Sequence, residues 1–270
     1  MKFKKLRNGT TMPMLGLGTY RLVEDDAYQI VSKALELGYR HIDTAMIYNN
    51  EVEVGRAIKD SGIPREELFI TTKCWNEDQG YESALQAFDL SLKKLGLDYV
   101  DLYLIHWPQP ASCDTWRAFE EIYRNKRAKA IGVSNFNVEQ LEILLEEATV
   151  IPMVNQIERH PYLVQEELKK VCDRHNIACE GWMPIARNKV SESEAIVKLA
   201  QKYHKTPAQI TLRWQIQTDW IVFPKTQSFE RLEENFDIFD FELTNAEVDV
   251  VNNHNENLHL GTNPNKYKIK

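Results

Sequence analysis

The chain has 270 residues, with 33 Lys and Arg against 40 Asp and Glu, a formal net charge of -7 and no long run of either sign. That balance argues against a nucleic-acid footprint, and no apolar stretch approaches the roughly 20 residues that cross a bilayer. The opening MKFKKLRNGTTMP lacks the apolar centre of a secretion signal, and Cys74, Cys113, Cys172 and Cys179 have no CxxC spacing, so the expectation is a cytoplasmic protein with reduced thiols.

Phe3 to Leu6 and Thr11 to Met14 flank Asn8-Gly9, a pair suited to the positive dihedrals of a tight hairpin turn. From Met14 onward short apolar runs alternate with longer amphipathic segments. Strands are expected near Leu15 to Gly18, His41 to Asp43, Phe69 to Lys73, Asp101 to Ile105, Ala130 to Ser134, Val154 to Glu158, Ala178 to Trp182 and Ile221 to Pro224. Helical patterns lie between them at Asp25 to Leu37, Glu51 to Ser61, Tyr81 to Leu95, Thr115 to Arg124, Val138 to Glu147, Gln165 to His175 and Glu192 to His204. Thr206-Pro207, a cap followed by proline at the first helical position, opens a further helix that reads as an addition, and Leu243 to Asn253 adds another. The tail from Asn255 to Lys270 is polar enough to form a loop over one rim.

Eight strand-helix units favour a closed (β/α)8 TIM barrel with an N-terminal hairpin and extra helices. No linker divides the chain, so one barrel domain over 1–270 is expected. A doubly wound dinucleotide fold would show GxGxxG after its first strand. Here Gly16-Leu17-Gly18 is followed by Arg21 where the third glycine should stand, and the fingerprint fails.

Four polar residues fall at or near the carboxyl ends of successive strands: Asp43 and Tyr48 in HIDTAMIY, Lys73 in LFITTKCW and His106 in DLYLIHWP. On a barrel those spacings bring them to one rim. Tyr48 suits proton donation to a carbonyl oxygen as hydride reaches carbon. A Lys73 cation at about 4 Å, at an effective dielectric near 20, would favour phenolate by about 4 kcal/mol, lowering a phenol pKa of about 10 by roughly three. Asp43 would hold the lysine charged while diluting that effect. His106 is suited to orienting the substrate oxygen or helping to deliver the proton. Trp75, Trp107 and Tyr20 follow strand ends and suit an aromatic substrate wall, with Tyr48 and His106 also facing the substrate. The seven histidines form no HExxH or comparable pattern, so no metal is expected.

The ordered motifs GLGTYRL, GYRHIDTAMIYNNEVEVG, LFITTKCW, DYVDLYLIHWP, AIGVSNF, VNQIERHPY and FPKTQSFERLEENF, spread over nearly the whole chain, strongly resemble an aldo-keto reductase. The resemblance implies a TIM barrel that binds NADPH at its carboxyl rim, with Asp43, Tyr48, Lys73 and His106 as the catalytic tetrad. It assigns Ser134, Asn135 and Gln156 to the nicotinamide carboxamide and Trp182 to stacking on its ring. Lys225, Thr226, Arg231, Glu234 and Asn235 match the adenosine-phosphate segment, and Gly18, Thr19, Tyr20 and Asp43 complete the cofactor contacts. Met183 stands where relatives carry serine, and Asn49 and Asn188 replace glycines in turns that asparagine tolerates. The short segment from Pro108 to Thr115 implies an open pocket.

The expected function is NADPH-dependent reduction of aldehydes or activated ketones, including dicarbonyls and keto sugars. The expected partner is a small-molecule carbonyl met by a monomer, without nucleic acid or membrane. A Schiff-base aldolase using Lys73 and a nicotinamide-sensing binding protein are the competing readings. The first leaves Lys225 to Asn235 unexplained, and the second leaves the tetrad without a task.

Overall fold

The computed structural model describes residues 1–269. A hairpin of β1 (Phe3–Lys5) and β2 (Thr11–Pro13) precedes eight parallel strands, β3 (Leu17–Gly18), β4 (His41–Asp43), β5 (Phe69–Cys74), β6 (Val100–Ile105), β7 (Ala128–Ser134), β8 (Val154–Glu158), β9 (Ala178–Trp182) and β10 (Ile221–Val222). Sequential strands pair in order from β3 to β10. Closure comes from Leu15 bridging Val222, with Gly16 N–H donating to Val222 O at 2.8 Å and Val222 N–H to Met14 O at 2.9 Å. The sheet therefore has no free edge, the solution that a barrel provides.

Around it run α1 (Glu24–Leu37), α2 (Glu51–Asp60), α3 (Tyr81–Leu95), α4 (Ser112–Arg124), α5 (Val138–Glu147), α6 (Glu166–Arg174), α7 (Glu194–Tyr203), α8 (Pro207–Gln217), α9 (Phe229–Phe236) and α10 (Asn245–Asn252). The cap expected at Thr206 forms, as a capping box with Gln209, and Pro207 stands in the first turn. The added helix is a different one from that expected. α8 packs on β10 and α9 and is buried from Gln209 to Ile216, whereas α7 lies outside on α8 and α10. Because α8 is enclosed on every side, its amphipathic pattern is weak, and its sequence resembles an accessory helix less than a core one.

The hairpin closes the amino-terminal end, where Leu6 and Met12 are buried and Asn8 Nδ2 donates to Lys129 O at the start of β7. Its loop is longer than the expected two-residue turn. Only Gly9 takes a left-handed conformation, and Asn8 instead accepts from Thr10 N–H through its side chain. No helix among the described residues is long and apolar enough to cross a membrane.

α2 is held to the barrel wall by Glu51, whose carboxylate accepts from Thr72 on β5 at 2.7 Å. Its close approach to α3 depends on Gly55, since a Cβ there would sit 2.1 Å from the Leu95 carbonyl oxygen. Gly55→Ala should therefore force the helices apart and cost about 1–3 kcal/mol or more. A lower urea midpoint with unchanged slope is the expected result, and an unchanged midpoint would contradict the close packing.

Candidate active site

β4 and β8 are the second and sixth of the eight barrel strands, so they face one another across the barrel. Asp43 ends β4 and Lys73 lies near the end of β5; both side chains are fully buried, and Lys73 Nζ donates to Asp43 Oδ1 at 2.6 Å and to Thr44 O at 2.9 Å. From the far side Gln156 Nε2 donates to Asp43 Oδ2 at 2.8 Å and to Glu180 Oε2 at 2.8 Å. Both amide hydrogens of Gln156 are thus directed inward, leaving its carbonyl oxygen as the group it can offer a ligand.

Burial lowers the Lys73 pKa, but Asp43 and Tyr48 outweigh it and the net direction is upward. The lysine is a cation. Burial raises the Asp43 pKa while Lys73 and Gln156 oppose it. Protonating Asp43 would strand a buried ammonium, so the pair stays ionised.

Tyr48 ends a 3₁₀ turn, Met46–Tyr48, and its ring centroid lies 5.1 Å from Lys73 Nζ. The expected acidification does not occur. Burial pushes the phenol up to about 12, Lys73 opposes, and Asp43 reinforces the rise. The aspartate that charges the lysine also offsets part of its field at Tyr48. His106 sits edge-on to both Tyr48 and Trp75, with centroids at 5.6 Å and 5.1 Å. Burial and then Lys73 hold its pKa well below the usual imidazole value. A neutral imidazole is suited to orienting a carbonyl oxygen and unsuited to supplying its proton at neutral pH.

The residues expected to hold a carboxamide form one network. Ser134 Oγ donates to Gln156 O at 2.9 Å, Asn135 Nδ2 donates to His106 O at 2.9 Å, and Trp182 Nε1 donates to Asn135 Oδ1 at 2.8 Å. Asn135 occupies a left-handed conformation, φ 64°. Asn49 and Asn188 do likewise, with φ 54° and 73°, so both turns are kept with asparagine in place of glycine. Met183, Ala186 and Arg187 also have positive φ, a concentration of strain in the loop after β9.

Gly18 and Thr19 are buried where β3 ends, and Tyr20 is 53% exposed beside Tyr48. Farther along the rim, Lys225 and Arg231 have no carboxylate within ion-pair reach among the described residues. Burial, then repulsion from Arg21, lowers the Lys225 pKa, which brings Arg21 in as a third cation not singled out from the sequence. Thr226 and Asn235 are buried next to this patch, and Ser228 caps α9 there. Cations left unneutralised at a rim fit a phosphate-bearing cofactor. Glu234 in the same segment accepts from the Thr206 hydroxyl at 2.6 Å through one carboxylate oxygen.

Three positioning elements escaped sequence reading. Asn50, fully buried, accepts from Thr44 Oγ1 at 2.7 Å and donates to Thr19 O and Leu22 O, both at 2.9 Å, fixing the Tyr48 turn to the ends of β3 and β4. Glu180 and Glu158 are the others. Strand parity offered a signal for both, since Glu180 shares a face with Trp182 and Glu158 with Gln156. Glu158 accepts from the Leu260 and Gly261 amides at 2.7 and 2.9 Å, and these bonds, with one from His160, hold its pKa down against burial. The tail is thereby latched over the rim. Tyr267 then packs on Trp107, centroids 5.1 Å apart, so the pocket expected to be open is bounded by the tail on that side and open beside Tyr20.

Residues 12–256 match the model of the aldo/keto reductase family. A glyoxal reductase of Bacillus subtilis is 48% identical over 262 residues, covering 96% of this chain and 95% of that protein. A methylglyoxal reductase of Yersinia pestis is 46% identical over 265 residues, with 96% and 95% covered. The crystal structure of a Bombyx mori aldo-keto reductase in complex with NADP superposes with a TM-score of 0.92 at 37% identity, covering 97% of this chain and 95% of that one.

Since burial holds the Tyr48 phenol up to about 12, the cofactor-free protein should keep it protonated well above the usual value of about 10. The ultraviolet difference between wild type and Tyr48→Phe at about pH 10 should contain no tyrosinate absorption. A full tyrosinate band there would contradict the assigned environment.

Proposed function

The chain belongs to the aldo/keto reductase family, and we propose that Tyr48, Lys73, Asp43 and His106 carry out its NADPH-dependent reduction of carbonyls. One observation supports this most strongly: a buried Lys73–Asp43 ion pair lies beside the half-buried ring of Tyr48, with a neutral imidazole at its edge. When bound, NADPH would supply the hydride that the carbonyl carbon receives. As charge develops on the carbonyl oxygen, the Tyr48 O–H bond breaks and its proton passes to that oxygen, giving the alcohol.

A phenol near 12 remains a competent acid because the alkoxide it meets is far more basic. The phenolate left behind lies beside Lys73, so the lysine stabilises charge that forms during reaction more than charge in the resting state. Water restores the phenol proton. His106 donates a hydrogen bond that orients the carbonyl, and Trp75, Trp107 and Tyr20 frame the substrate.

For the cofactor, the Gln156 carbonyl, Ser134 and Asn135 would hold the carboxamide, and Trp182 would lie against the nicotinamide. Gly18, Thr19 and Tyr20 would border it, while Lys225, Thr226, Arg231 and Asn235, aided by Arg21, would hold the adenosine phosphate. The names of the glyoxal and methylglyoxal reductases support small aldehydes and dicarbonyls as the substrate class. A monomer in the cytoplasm, acting on a small-molecule carbonyl, completes this reading.

Mixing protein, NADPH and a panel of aldehydes, dicarbonyls and keto sugars should give turnover by loss of nicotinamide absorbance. Tyr48→Phe should lower kcat by about 10² to 10⁴-fold with NADPH affinity kept, because the acid is removed and the ring remains. Equal turnover by both proteins would remove Tyr48 from the acid role. Lys225→Met with Arg231→Met should reduce discrimination between NADPH and NADH by at least about tenfold. Unchanged discrimination would place the phosphate elsewhere.

A further inference from the structure

Behind the tetrad the barrel holds ionisable groups that the reaction as described does not use. Glu180 and His41 are both fully buried. Glu180 is in register with Gln156 on the adjacent strand, and its Oε2 accepts from Gln156 Nε2 at 2.8 Å, the same nitrogen that donates to Asp43. Its Oε1 lies 3.5 Å from His41 Nε2 and has no hydrogen-bond partner among the described residues. We propose that Glu180 is a positioning residue that, as a neutral carboxylic acid, holds the Gln156 amide from behind and through it fixes Asp43 and Lys73.

Charge balance inside the barrel supports the neutral form. The groups facing Glu180 are His41 and Asp43 from β4, Lys73 from β5 and the uncharged Gln156 from β8, while its register partner on β10 is Ile221. Lys73 is the one cation, and Asp43 already takes it at 2.6 Å. Burial holds His41 at about 3, so it offers no second cation. A carboxylate at Glu180 would therefore set two anions on either side of one amide nitrogen. Burial first and Asp43 second accordingly push Glu180 up to about 8.

The sign of the pH effect follows. Below about pH 8 Glu180 keeps its proton, and Lys73 is balanced by Asp43 alone. Above it, Glu180 releases a proton to solvent and becomes a second anion near Lys73, weakening the support that the lysine gives to the nascent Tyr48 phenolate. Reduction should slow on the alkaline side while Tyr48 itself is still protonated.

This inference rests on the carbonyl-reducing reading above, and two measurements separate their failures. The first is the kcat profile from about pH 6 to pH 10 for wild type, Glu180→Gln and Glu180→Leu. Glu180→Gln keeps a neutral acceptor for Gln156, so it should retain the acid-side rate within about threefold and lose the alkaline decline that costs wild type about tenfold. Glu180→Leu, lacking the acceptor, should lose about tenfold at all pH values. Superimposable profiles for wild type and Glu180→Gln would overturn the assignment, as would a fully active Glu180→Leu. The second is the infrared difference between wild type and Glu180→Gln at pH 7, which needs no turnover and reports even where the leucine variant does not fold. The carbonyl stretch of a protonated carboxyl is expected, and carboxylate bands alone would overturn it. A wild type that reduces no carbonyl would instead sink the catalytic reading.

Discussion

A lysine with no solvent contact sits inside this barrel, and the ion pair that makes this tolerable organises the rest of the site. Removing an ammonium and a carboxylate from water costs several kcal/mol per ion, and mutual attraction compensates only when the geometry is close and the remaining lone pairs are satisfied. Lys73 meets that condition through Asp43 at 2.6 Å and Thr44 O at 2.9 Å. Asp43 in turn needs a donor on its second oxygen, which Gln156 supplies from the opposite wall. Gln156 is held by Glu180 on one side, and its backbone carbonyl takes the Ser134 hydroxyl. Each member is therefore constrained by the solvation needs of its neighbour, and the constellation is set by the protein's own side chains.

The periphery is built by the same logic with hydrogen bonds in place of charge. Tyr48 lies on a short turn that has little packing of its own, and the three bonds of Asn50 fix that turn to two strand ends. Among the described residues, the tail beyond α10 has no regular element to hold it except a short 3₁₀ turn. Glu158 and Gln140 bind its backbone instead, the latter donating to Pro264 O and Tyr267 O. Gly261 then lies so close to Trp182 that a Cβ would fall 2.5 Å from the indole ring. The wall expected to stack on a nicotinamide and the strap that borders the substrate are thus one packed unit.

Much of this was legible in the chain. Strand positions could be read because inward and outward faces of a parallel barrel are both buried, which leaves short apolar runs of distinctive length. Asp43, Tyr48, Lys73 and His106 could be grouped because polar residues at strand ends stand out against those runs. Glu180, His41 and Asn50 did not stand out in the same way: each precedes or lies near a residue already singled out, and its importance depends on partners far away in sequence. Gln156 and Asp43 are 113 residues apart, and no local pattern encodes their contact. The misreading of α8 has a related cause, since a helix covered on all sides carries no stripe to mark its inner face.

The Tyr48 phenol shows why proximity to a cation was insufficient for predicting acidity. Coulomb attraction from Lys73 alone would have pulled its pKa down, and the direction reverses because burial disfavours phenolate and, secondarily, because Lys73 arrives with its counterion. Seen from the resting state, the lysine looks poorly used. During carbonyl reduction, however, negative charge moves from the substrate oxygen onto the phenol oxygen, and a fixed cation whose orientation is already set by Asp43 needs no reorganisation to meet it. A strongly acidified tyrosine would be partly ionised before substrate arrived and would have no proton to give. The neutral pair keeps the proton in place until the oxygen that needs it becomes basic enough to take it.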